Sequence, residues 1–69
     1  MELFFFNINK NEDGIHEVHT SSCPTPPAKE SQVFIGQFET SVAALEAAKL
    51  NYPTMNFKGC TQCCSNHIN

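Results

Sequence analysis

Two short groups of metal-ligating residue types constrain this chain most. His19-Thr20-Ser21-Ser22-Cys23 stands in its first half and Cys60-Thr61-Gln62-Cys63 near its end. With 69 residues the chain buries only a modest fraction of its surface on folding. Domains of that size commonly depend on a staple: a disulfide, a metal or a partner subunit. The residues between the two groups therefore have to fold so as to bring them together, or leave four reactive side chains without a purpose.

The chain as a whole reads as a folded polypeptide. Hydrophobic residues make up 41% and charged ones 16%, the reverse of a disordered composition. Phe4, Phe6 and Ile8 alternate with Phe5 and Asn7, so Leu3 to Asn9 is expected to be a strand. The run from Asn9 to Gly14 is dense in turn residues, and Asp13-Gly14 is a favoured hairpin pair. Ile15 to Thr20 reads as a second strand, with His16, Val18 and Thr20 on one face and Ile15, Glu17 and His19 on the other.

A proline-rich loop, Cys23-Pro24-Thr25-Pro26-Pro27, leads to a third strand over Gln32 to Phe38, in which Gly36 marks a bulge. Pro24 to Pro27 also fits a P-x-x-P ligand, but a stiff loop that positions Cys23 accounts for it. Thr40 or Ser41 caps a helix over Val42 to Leu50, with Val42, Leu45 and Ala48 or Lys49 as its apolar stripe. Tyr52-Pro53 ends it. The order β-β-β-α predicts a single α+β domain over residues 1–69. It has a three-stranded, mostly antiparallel sheet, one helix, a C-terminal cysteine knuckle and a flexible tail over 65–69.

Charge narrows the partners. The net charge is −3, the only permanent side-chain cations are Lys10, Lys29, Lys49 and Lys58, and there is no arginine. Phosphate backbones are gripped by clustered Lys and Arg, so nucleic-acid binding is disfavoured. No segment approaches the roughly 20 apolar residues of a membrane span. The N-terminal residues lack the basic start of an export signal, which predicts a cytoplasmic setting. In a reducing compartment clustered cysteines point to metal or redox chemistry before disulfides.

Zinc sites draw four Cys and His ligands from two short-spaced pairs. The H-x3-C and C-x2-C groups supply His19, Cys23, Cys60 and Cys63, with Cys64 and His67 in reserve. His16 and His19 project from opposite faces of a strand, so one ion is not expected to take both. His16-Glu17-Val18-His19 also lacks the i, i+4 helical spacing of a zinc protease. Disulfide pairing of Cys63 with adjacent Cys64 is excluded by Cα atoms ~3.8 Å apart. A bridge from Cys23 to the C-terminal group stays open.

His19-x3-Cys23, then Phe38-Glu39-Thr40-Ser41 opening an Ala-rich helix, then Gly59-Cys60-x2-Cys63, resembles the Ada-type zinc-binding domain. The same pattern is similar to a group of short uncharacterised bacterial proteins with a His-Glu-Val-His strand and a C-terminal knuckle. The resemblance spans about residues 16 to 64. It implies a small sheet with a helix and the same four ligands. The methyl transfer from DNA known for the family is not carried over, because basic residues are missing and Lys58-Gly59 replaces the usual approach to the first knuckle cysteine.

Three functional readings follow. The first is a zinc-stapled interaction module that meets a protein partner through exposed aromatics of the Phe-rich first strand. The second is a metal-free domain with incidental cysteines. The third is a thiol-redox protein using Cys60 and Cys63. No paired carboxylates, Gly-rich phosphate loop or Ser/His/Asp set indicates a substrate, so catalysis is not the favoured reading.

Overall fold

A computed structural model describes residues 1–24, 26–60, 62 and 63. Its elements are β1 (Glu2–Asn7), β2 (His16–Thr20), a 3-10 turn (Lys29–Ser31), β3 (Gln32–Phe38), α1 (Ser41–Asn51) and β4 (Phe57–Gly59). The α+β class, the single helix and the limits of β3 agree with the sequence reading.

The sheet departs from it. Four strands lie in the order β3-β1-β2-β4, and β4 runs parallel to β2. The sheet is therefore mixed and four-stranded, not three-stranded and mostly antiparallel. A three-residue strand gives no measurable periodicity, and its pairing depends on a crossover through α1. Backbone bonds bracket it: His16 N–H to Asn56 C=O at 2.8 Å and Cys60 N–H to Val18 C=O at 2.9 Å.

The connection between β1 and β2 is longer than a two-residue hairpin. Asn11 organises it, its Oδ1 accepting from the Asp13 and Ile15 N–H groups at 2.9 and 3.0 Å. Gly14 adopts φ +77°, which a side chain would resist. On β3 the register shifts between Phe4 and Phe5, leaving Ile35 and Gly36 both on the inner side. Gly36 is thus the bulge that its position in the strand suggests. A Cβ there would lie 3.0 Å from the Phe38 ring.

One face of the sheet carries α1. Phe4, Phe6, Val18 and Ala44 form the buried core, with Val33, Ile35, Leu45, Tyr52 and Phe57 packed around it. Phe6 is fully buried, with the rings of Phe57, Tyr52 and His16 at 5.0, 5.2 and 5.7 Å. The face of α1 turned to the sheet is Ser41, Ala44 and Ala48, and Val42 and Leu50 are exposed. Of the expected stripe of Val42, Leu45 and Ala48 or Lys49, Leu45 and Ala48 are kept and Val42 turns outward, so the stripe is rotated. The sheet already supplies the bulk through Phe4 and Phe6, so the helix presents alanines and approaches closely.

Thr40 is the cap, its Oγ1 accepting from Ala43 N–H at 3.2 Å. No helix among the described residues is long and apolar enough to cross a membrane.

Candidate metal centre

The four residues drawn from the two sequence groups converge. One ligand atom from each of His19, Cys23, Cys60 and Cys63 lies within 4.8 Å of all the others. Each arrives by a different local route. His19 leaves β2 on the face away from Phe6, beside its cross-strand neighbour Phe5. Cys23 follows a tight turn closed by its own N–H on the Thr20 carbonyl at 3.2 Å. Cys60 comes directly off β4, whose parallel pairing carries it to the end of β2. Cys63 closes the knuckle.

The separations suit a tetrahedral ion. His19 Nδ1 is 3.4 Å from Cys23 Sγ, and the Cys23 and Cys60 sulfurs are 3.9 Å apart. Metal–sulfur bonds of ~2.3 Å and metal–nitrogen bonds of ~2.05 Å place tetrahedral neighbours about 3.8 Å (S to S) and about 3.6 Å (N to S) apart. The Cys23–Cys60 distance is far beyond the ~2.05 Å of a disulfide, so the bridge left open by the sequence does not join these two.

The ligand atoms are enclosed, and main-chain donors face two of the sulfurs. His19, Cys23 and Cys60 are buried and Cys63 is half-buried. Backbone N–H groups of Gln62 and Thr20 point at the Cys60 and Cys63 sulfurs, each at 3.4 Å. Such donors would support sulfur as a metal ligand. With Nδ1 toward the sulfurs, the other imidazole nitrogen faces Glu17, at 3.8 Å from its carboxylate. A carboxylate behind a ligating histidine fixes the tautomer and raises basicity. Burial lowers the His19 pKa below its ordinary 6.5, against a smaller raising effect from Glu17, which favours the neutral ring that binds metal.

His16 does not join the site. It is buried on the opposite face and its Nδ1 donates to the Asn7 carbonyl at 2.8 Å, as alternation along the strand requires. The reserve ligands Cys64 and His67, and the tail over 65–69, lie outside the described residues. Sequence reasoning missed Thr20 and Gln62, which act through the main chain and leave no side-chain signature. It also missed Glu17 as an outer partner, although its place two residues before His19 on the same face was a usable signal.

A polar groove of about 280 Å³ borders the site, lined among others by Glu2, Glu39, Thr40, Ser41 and Cys63. Thr40 and Ser41 begin α1, so the tertiary fold sets a helix N-terminus and the half-buried sulfur on one groove, which the order of elements does not reveal. No lysine lines it among the described residues, and its two carboxylates oppose a phosphate backbone. Comparison with protein-family models, with curated proteins and with solved structures finds no match to this chain.

Proposed function

We propose that this chain is a small zinc-stapled interaction module in which His19, Cys23, Cys60 and Cys63 hold one structural zinc ion. The observation that carries this reading is the convergence of those four ligand atoms within 4.8 Å. Three sulfurs and one imidazole in a closed, largely buried set favour zinc among biological divalent ions. The ion would tie the turn after β2 to the end of β4, adding to the parallel pairing of the two strands. The Ada-type relationship belongs to this proposal as a ligand arrangement only. The acidic groove beside Cys63 argues against phosphotriester chemistry on DNA.

The module's task is binding. Phe4 and Phe6 are consumed by the core, so the surface aromatics are half-buried Phe5 and exposed Phe34, whose rings lie 5.5 Å apart. A protein partner and a cytoplasmic setting complete the reading.

Native mass spectrometry of protein purified under reducing conditions without added metal is the test. The expected result is one zinc per chain, lost with chelator together with the compact charge-state distribution. An apo mass with an unchanged compact fold would sink the proposal.

The thiol-redox alternative gains one observation, the shared groove of Cys63 and the first turn of α1. Helix N-termini lower thiol pKa values. Zinc-free protein in which Cys63 reacts much faster with a neutral alkylating agent than a model thiol does would favour it.

A further inference from the structure

The groove beside Cys63 is lined by polar side chains that neither the metal nor the thiol-redox reading uses. Glu2 lies opposite Phe38 in the β1–β3 register, so Glu39, the next residue, stands at the same end of the sheet. Both carboxylates line the groove, and no basic residue does so among the described residues. The Thr20 hydroxyl donates to Ser22 Oγ at 3.3 Å, and Ser22 Oγ donates to Glu2 Oε2, also at 3.3 Å. Thr20 is buried, so this short relay holds the Glu2 carboxylate in one orientation.

Ser41 lines the same groove from the first turn of α1. It is 3% exposed, and its Oγ has no hydrogen-bond partner among the described residues. Buried hydroxyls are nearly always paired, so an unused one at a groove marks a place for a ligand's polar group. The sign of that group follows from the lining, because two carboxylates repel an anion. A metal ion does not fit either. Among the described residues, only His19, Cys23, Cys60 and Cys63 bring three or more His, Cys or acidic ligands together. A volume of about 280 Å³ also suits an organic group and not a bare ion. The positive end of α1 is blunted, since Thr40 Oγ1 takes the Ala43 N–H and Glu39 precedes the cap.

We infer that this groove binds a primary alkylammonium group. An ammonium carries three diverging N–H donors and no acceptor. The acceptors here come from three places: Glu2 on β1, Glu39 before α1, and Ser41 in its first turn. A planar guanidinium fork would suit one carboxylate and leave the other acceptors unused. Phe4 and Pro24 line the groove as well and give the methylene stem an apolar wall. The group arrives either on a free amine or on the lysine side chain of a protein partner. This inference goes beyond the zinc reading and stands on the groove alone.

NMR titration of the labelled whole chain with n-butylammonium chloride is the test, at constant neutral pH and ionic strength. Metal content is measured beforehand, so a failure of the zinc reading is seen separately. Saturable shifts are expected at Ser22, Ser41 and Val42, with a Kd of about 1–10 mM. Sodium butyrate, with a similar stem and the opposite charge, should give none there. Glu39→Gln should weaken binding about tenfold and Ser41→Ala about threefold, as charged acceptors outweigh neutral ones. Ser41→Ala breaks no bond within the fold, so its spectral dispersion should match the parent. Glu46→Gln removes an equal charge from an exposed position of α1 and should leave binding unchanged. A short end-capped peptide centred on lysine that binds more tightly than butylammonium assigns the group to a protein partner. Equal or weaker binding assigns it to a free amine. The inference is overturned by no saturable shift, by an equal response to butyrate, or by tighter binding of ethylguanidinium. It is overturned equally if Glu46→Gln weakens binding as Glu39→Gln does, or if Glu39→Gln and Ser41→Ala both bind as the parent.

Discussion

Truncating Phe6 to alanine tests the core and its coupling to the candidate metal centre together. Phe6 is fully buried and makes edge-to-face contacts with His16 on β2, Tyr52 after α1 and Phe57 on β4. Removing a buried phenylalanine ring costs about 3–5 kcal/mol in lost transfer energy and cavity. A chain of 69 residues has a total stability of roughly 3–10 kcal/mol, at ~0.05–0.15 kcal/mol per residue. Metal-free Phe6→Ala is therefore expected to be substantially unfolded at 25 °C.

β4 delivers Cys60, so an ion that binds only the folded state should restore the variant by mass action. Free zinc at a thousand times its Kd contributes about 4 kcal/mol, enough to offset most of the truncation. Near-ultraviolet circular dichroism and NMR dispersion, in chelator and then in buffered zinc, read both effects. The companion Phe5→Ala, on the half-buried outer face, should cost no more than about 1 kcal/mol by the same assay. A metal-free Phe6→Ala with parent-like melting would refute the assignment of the core. Unfolded protein that zinc fails to restore would refute the coupling.

Three further outcomes are expected. Gly36→Ala combines φ +151° with a Cβ 3.0 Å from the Phe38 ring, and should lose about 1–3 kcal/mol by urea denaturation. Thr40→Ala removes the cap bond to Ala43 and should cost ~1 kcal/mol, or about 4–8 °C in melting temperature. In metal-free protein, burial disfavours protonation of His19 in the folded state, so its contribution is fully present above pH 6.5 and is lost as pH falls below it. His19→Gln should flatten the stability–pH profile below pH 6.5, and an unchanged slope would remove His19 from that account.

By itself the sequence determined the parts whose physics is local. Alternation in Phe4-Phe5-Phe6 and in His16 to Thr20 marked β1 and β2 and put His16 and His19 on opposite faces. The uncharged run from Gln32 to Phe38 marked β3 with its Gly36 bulge, and Thr40-Ser41 marked the start of α1. Ligand spacing named His19, Cys23, Cys60 and Cys63, because short loops limit which side chains can reach one ion, and the fold brings that same set together.

Only the tertiary structure decided the rest. The pairing of Phe57–Gly59 with β2 joins residues about forty apart in the chain, and nothing in three residues specifies a strand or its direction. The inward face of α1 was decided by the sheet beneath it: with Phe4 and Phe6 filling the core, alanines pack where larger side chains would hold the helix away. The supports of the candidate centre, the Thr20 and Gln62 N–H groups, belong to the backbone common to all residues. Main-chain direction depends on the path of the whole chain, so it emerges only once that path is fixed.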